Sequence, residues 1–433
     1  MARRDPDPSP WLNRRTFGWA LYDIASSTYA ALVPAYFGLY FVALAGTGAS
    51  AAGAWGAVAA ASLVAAGLLS PLVGAQADRT GRWLRTLVLA TAACVIAVLL
   101  LPMAAATGLP AAVAAFLIAQ VGYTLATSVY DSYVIDIAPA TQRGRVSGLG
   151  WALGMLGGIA AILGALWLMH GVPPEAQVQR LGAAFMLSGA LFAVLALPGI
   201  AGLRGLRTKG HPIESPEVGL EASLRAVAAT LRDWRQHRTA LRVLTAFFLI
   251  NDVMVTIVFF IAIVVRDRFG LDIAGLLKLS LLLHLIAIPS TVLFGMLADR
   301  GGARQTLAVM CTLLAVAILL LAIGRETWSA VLAVALLGLV FSSIQAVFRS
   351  LYAGLVPLDK AAELFGFNSI SGRLSAALGP LLFGVAVTVL GSQAWALVLL
   401  LIPLAAGIGL LYTADLPPAF TEGGLAPTAA RAR

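Results

Sequence analysis

Twelve long apolar stretches dominate this chain, and they leave few folds open to it. About 20 apolar residues span a bilayer as a helix. Inside hydrocarbon every backbone N–H and C=O must be paired within the protein, so such stretches become helices. The spans are expected at roughly 17–45, 53–76, 84–105, 110–134, 146–169, 181–203, 242–265, 272–297, 305–323, 328–352, 362–390 and 393–413. Sixty per cent of the 433 residues are hydrophobic and 11% are charged. Soluble domains carry about 25% charge. The expectation is an all-α membrane protein with twelve transmembrane helices.

The formal net charge is +9. Its basic residues sit in short loops between spans, which argues against a nucleic-acid partner. It fits the excess of Lys and Arg on the cytoplasmic side of membrane proteins. With both termini cytoplasmic, the outer side keeps only Arg180, Arg266, Arg268 and Arg325, so the chain is expected in the cell membrane in that orientation. The N-terminus shows no cleavable signal pattern, and the first span is expected to stay as an anchor. Cys94 and Cys311 lie inside spans, without metal-ligand spacing. No Walker loop, nucleophile elbow or zinc motif is present, so neither an enzyme nor a cofactor is expected. The remaining partners expected are the lipid bilayer, a small-molecule substrate and a coupling ion, with the chain as a monomer.

The chain repeats itself. GAQADRTGRWLR at 74–85 resembles GMLADRGGARQT at 295–306. Tyr22-Asp23 matches Asn251-Asp252, while Pro139 and Pro357, Gly154 and Gly372, and Asp131 and Arg349 share one common offset. A parallel duplication of six spans is the layout of major facilitator transporters, with the substrate site between the halves. The domains are therefore expected as a first six-helix bundle (1–203), a cytoplasmic linker (204–241) and a second bundle with its tail (242–433). Within the linker, Leu220, Leu224, Val227, Leu231 and Trp234 mark one face of an amphipathic helix.

Acidic residues inside apolar runs carry the chemistry. Asp23 is the one carboxylate of span one, and Asp252 lies in span seven, the pseudo-equivalent helix. An ionised carboxylate in hydrocarbon costs several kcal/mol unless paired, wetted or protonated. Such a group can carry a proton or hold a substrate ammonium; a structural pair with Arg349 or Arg373 is the other reading. Arg373 is central in span eleven and suits a substrate carboxylate, or an internal anionic partner. Tyr22, Ser26, Asn251, Tyr123, Trp151 and Asn368 complete the candidate substrate and coupling set. Lone His284 reads as a hydrogen-bonded filler, and Lys278 as a side chain reaching the outer interface.

Gly74, Asp78, Arg79, Gly81 and Arg82 fill the loop signature of the major facilitator superfamily, which Asp299, Arg300 and Arg304 echo in the second half. Gly74 is expected to let helices approach closely and Gly81 to allow a tight turn. The resemblance implies a latch between the halves on the cytoplasmic side. Asp131 and Arg349, oppositely charged at equivalent positions, are candidates to close a gate.

A narrower resemblance covers nearly all of the chain. Trp19-Ala-Leu-Tyr-Asp23-Ile-Ala-Ser26-Ser looks like the opening signature of the vacuole-effluxer branch of this superfamily, with Ser26 where asparagine is usual. Arg143-Gly-Arg-Val-Ser147, Gly150-Trp151, Asn251-Asp252, Gln345 to Ser350, Phe365-Gly366 and Gly379-Pro380 agree with that branch. Gly150-x-x-x-Gly154-Met155-x-Gly157-Gly158 resembles an antiporter glycine signature, with Met155 replacing proline. The resemblance implies a secondary transporter working by alternating access, with proton-coupled efflux of an amino acid or related polar metabolite. A broad drug or metabolite exporter, and a non-transporting sensor or scaffold, remain open.

Overall fold

The computed structural model describes residues 14–46, 48–137, 143–206, 238–355 and 376–416. The amphipathic linker helix, Asn368, Arg373, Pro139, Pro357, Phe365, Gly366 and Gly372 lie outside these residues.

The described chain is helical. In order come α1 (Arg14–Ala45), α2 (Ala49–Thr80), α3 (Trp83–Thr107), α4 (Leu109–Ser132), α5 (Val134–Ile137), α6 (Arg143–Met169) and α7 (Pro174–Gly202). Then follow α8 (Arg238–Phe269), α9 (Ile273–Gly301), α10 (Ala303–Ile323), α11 (Thr327–Val340), α12 (Ser343–Leu355), α13 (Leu378–Leu390), α14 (Gln393–Leu399) and α15 (Leu401–Thr413). Among the described residues, 11 spans are long and apolar enough to cross a membrane, and Leu378–Leu390 is a shorter apolar helix. That is the twelve-span pattern, with the eleventh described only over its second part.

Prolines do not break these helices. Pro34, Pro71, Pro102, Pro198 and Pro289 all lie inside them. Neighbouring helices and local adjustments can re-satisfy the freed carbonyls in a membrane protein. The interruptions fall elsewhere, at Phe341–Ser342 within span ten and at Leu400 within span twelve.

The described residues form two compact units: those within 1–34, 69–168 and 180–216 make one, and those within 35–68, 169–179 and 217–433 the other. In the first, α3 and α4 pack tightly through Gly122, where a methyl group would come within 2.9 Å of the Ala90 carbonyl and the Cys94 amide. Helix α1 lies against α7 at Gly18 and Gly202, and a methyl on either would meet the other's Cα at 2.8 Å. Buried Thr28 and Ser188 tie the same helices, the Ser188 hydroxyl donating to the Thr28 carbonyl at 3.0 Å. Small residues at these crossings let backbones approach where the hydrophobic effect offers no net drive.

In the second unit, the later part of α1 and the start of α2 pack with helices from the second half of the sequence. Trp55 is fully buried and its Nε1 donates to the Phe259 carbonyl at 2.8 Å. Tyr36 Oη pairs with Ser280 Oγ at 2.7 Å. Gly56 meets α13, where a methyl would lie 2.5 Å from the Pro380 carbonyl. Gln177, 3% exposed, accepts from the Ala274 amide at 3.1 Å and donates to Asp272 Oδ2 at 3.0 Å. Asp272 also caps α9 by accepting from the Gly275 amide. At the end of α15, Arg242 donates to the Thr413 carbonyl and Arg304 to the Ala414 carbonyl. Two cations at a helix C-terminus complement its dipole.

Candidate substrate and coupling sites

In the first unit, Asp23 is half-buried on α1 and sits against the glycine face of α6. A methyl on Gly150 or on Gly154 would each come within 3.2 Å of Asp23 Oδ2. On Gly157 it would stand 1.9 Å from the Ile24 carbonyl. The glycine-rich run of span five therefore has a physical reason: it makes room for the acidic face of span one.

Aromatic rings surround this part of α1. Tyr130 stacks on Trp19 at 4.7 Å and on Tyr22 at 4.8 Å between centroids. The indole N–H of Trp19 donates to the Tyr130 carbonyl. Thr91 Oγ1 donates its only proton to the Leu87 carbonyl, so Tyr22 Oη is the donor in its 2.7 Å bond to Thr91. Tyr29 stacks on Tyr123 at 4.8 Å and donates to Gln120 Oε1 at 2.8 Å. Ser26 donates to the Asp23 carbonyl, a local bond that leaves the carboxylate to others. Trp151, next to Gly150 on α6, is 39% exposed and joins none of these stacks. Asp131, at the end of α4, is exposed.

The second unit holds Asp252 and Asn251, both half-buried on α8. Asp252 Oδ1 accepts from the Gly379 amide at 2.8 Å. Gly379 is the second residue of α13, so the carboxylate meets the helix where its dipole is positive and its first amides lack intrahelical partners. A methyl at Gly379 would lie 2.1 Å from Thr256 Oγ1 and 2.7 Å from Asp252 Oδ1. Asn251 Oδ1 accepts from Gln345 Nε2 at 3.1 Å. His284 is 9% exposed and pairs through Nδ1 with the Ser280 carbonyl at 2.8 Å. Only a protonated nitrogen bonds a carbonyl, which fixes Nδ1–H on the ring, as a hydrogen-bonded filler requires.

The two units thus repeat one motif. Each has a carboxylate on its first span packed against a glycine on its fifth, Asp23 with Gly150 and Asp252 with Gly379. The sequence singled out both acids, but it offered these glycines only as parts of family signatures. The pairings of Trp19 with Tyr130 and of Gln345 with Asn251 were not legible, since polar pairing across helices leaves no local pattern.

The loop copies are alike in form. Asp78 and Arg79 close α2, Gly81 takes φ +63°, and α3 begins at Trp83 after Arg82. Asp299 and exposed Arg300 close α9, Gly302 takes φ +86°, and α10 begins at Ala303. Gly81 fills the tight-turn role. Among the described residues nothing comes within 4 Å of where a side chain on Gly74 or Gly295 would start. The Arg304 guanidinium donates to the Ala414 carbonyl. Arg349 lies on α12.

The comparisons with known proteins agree with this layout. The model of the vacuole effluxer Atg22-like family matches residues 134–423, most of the chain. The MFS-type transporter YxiO of Bacillus subtilis (strain 168) is 25% identical over 406 residues, covering 91% of this chain and 93% of that protein. Autophagy-related protein 22 of Yarrowia lipolytica (strain CLIB 122 / E 150) is 22% identical over 303 residues, 64% of this chain and 51% of its own length. Among solved structures, the nucleoside transporter NupG shares the fold with a TM-score of 0.66 at 16% identity, over 92% of this chain and 98% of NupG. These similarities are to transporters, not to enzymes. The chain belongs to the vacuole effluxer Atg22-like family and is a multi-pass membrane transporter of the MFS type, with the all-α major facilitator fold.

Proposed function

We propose that this transporter exports an amino acid or related small polar metabolite, driven by protons, with Asp23 and Asp252 as its working carboxylates. The observation that carries the reading is the repeated motif: each acid lies within an apolar span, beside a glycine that leaves its oxygen atoms uncrowded. Proteins keep such costly groups inside membranes where a polar path needs them. The substrate ammonium is assigned to Asp23 and its carboxylate to Arg373. Tyr22, Ser26, Tyr123, Trp151, Asn251 and Asn368 are assigned to the same path. Residues 1–203 and 242–433 act as the two bundles that rock about the central site, joined by the 204–241 linker. Gly74, Asp78, Arg79, Gly81 and Arg82, with Asp299, Arg300 and Arg304, form the cytoplasmic latch loops. Asp131 and Arg349 close the inner gate. The protein works as a monomer in the cell membrane with both termini in the cytoplasm.

A second reading, a broad-specificity exporter, draws on the rings beside Asp23: Trp19, Tyr22, Tyr29, Tyr123 and Tyr130. Aromatic faces attract organic cations. A melting screen in detergent separates the two. A ligand that binds only the folded state raises its melting point with occupancy. Zwitterionic amino acids are expected to stabilise the wild type, and the Arg373→Ala variant is expected to lose that response. Stabilisation by lipophilic cations alone, indifferent to Arg373→Ala, would support the broad exporter. No stabilisation by either class would overturn the amino-acid assignment.

A further inference from the structure

A cavity of about 480 Å³ opens in the first unit between α2, α3 and α4. Its wall changes character along its length. Arg82, Arg85 and Gln76 are exposed at one end, while Val73, Leu89 and Leu125 line it with apolar surface. Among the described residues neither guanidinium has a hydrogen-bond or ion-pair partner. In the 74–85 stretch Asp78 is the one acid against Arg79, Arg82 and Arg85. Arg82 also sits at the N-cap of α3, whose first amides receive no side-chain cap. The arginine end of the cavity lies where the apolar spans Ala49–Gly74 and Trp83–Thr107 meet.

We propose that this cavity binds one anionic phospholipid, its phosphate held by Arg82 and Arg85 and an acyl chain lying along Val73, Leu89 and Leu125. Basic pockets between membrane helices on the cytoplasmic side suit anionic headgroups. A guanidinium offers a planar fork of donors that matches two phosphate oxygens at once. The uncapped amides of α3 add to the same positive field. The apolar wall selects a lipid over a free anion, because a small ion leaves that surface uncovered. The site rests on the orientation given above, with this loop at the cytoplasmic face; it is independent of what the carrier moves. Because Arg82 belongs to the loop assigned to the latch, an occupied site would make that loop sensitive to membrane composition.

The test is native mass spectrometry of the purified full-length carrier with phosphatidylglycerol and phosphatidylcholine of identical acyl chains. The wild type is expected to retain phosphatidylglycerol in clear preference. Arg82→Ala with Arg85→Ala is expected to cut that preference about tenfold or more, at about fivefold per lost charge. Arg82→Lys with Arg85→Lys should keep most of it, Arg82→Glu with Arg85→Glu should reverse it, and Arg325→Ala on the outer side should leave it alone. This ordering by charge is not one that misfolding can imitate. Equal retention of the two lipids, or a preference untouched by both alanine changes, would overturn the proposal. So would displacement of the lipid by millimolar inorganic phosphate, which would make the site an anion site instead. Loss of the lipid preference would leave the transport reading standing, and a failed transport assay would leave the lipid site standing.

Discussion

Gly157→Ala is expected to destabilise the carrier by about 3 kcal/mol, the upper end of what overpacking costs in a close-packed interior. The reason is geometric. The added methyl would stand 1.9 Å from the Ile24 carbonyl oxygen, and 2.7 Å from its carbon. That neighbour is backbone, so no rotamer change relieves the overlap; α6 must move off α1. An alanine gains about 1 kcal/mol over glycine from helix propensity, too little to offset the clash. Gly74→Ala is the matched control. Among the described residues nothing lies within 4 Å of its added methyl, so the propensity gain remains and the melting point should hold or rise slightly. Melting curves of the two variants in one detergent check both. Equal melting points would mean that α1 and α6 do not cross as closely as described.

Asp23→Asn and Asp252→Asn should each bring proton-driven transport in proteoliposomes to background while leaving the fold intact. Asparagine keeps the shape of aspartate, so it fits beside Gly150 and Gly154 without a new contact. At position 252 its amide oxygen can still accept from the Gly379 amide, which preserves the junction between α8 and α13. What is lost is the charge and the capacity to exchange a proton. Asp252 faces a stricter test, because its bond to a helix N-terminus also fits a purely structural role. A structural role predicts a lower melting point with transport kept in the surviving protein. The coupling role predicts the reverse. Counterflow, which needs no proton gradient, separates lost coupling from lost binding.

Much of the fold was legible because the membrane imposes a simple rule. Apolar length gave the spans, and the duplicated Asp-Arg-x-Gly loops located the repeat. Helix interruptions were not legible. Span ten breaks at Phe341–Ser342 and span twelve at Leu400, none of them glycine or proline, whereas Pro34, Pro71 and Pro289 stay inside helices. The bilayer makes backbone pairing so costly to lose that packing, rather than local propensity, decides where a helix yields. At the sites, a charge in an apolar run singled out Asp23 and Asp252. That Gly150 and Gly379 are their partners was not legible, because Gly150 acts through the side chain it lacks and Gly379 through its backbone amide. The bond from Arg304 to the Ala414 carbonyl, 110 positions away, likewise left no trace in the sequence.

The account turns on protons reaching those two carboxylates from water. The direct measurement uses purified carrier in weakly buffered solution with a pH indicator, mixed with the amino acid that gives the largest melting shift. Binding linked to a titrating carboxyl should move about one proton per carrier in the wild type and none in the Asp23→Asn, Asp252→Asn double variant. Ligand binding to the wild type with no proton movement, or the same movement from the double variant, would contradict it.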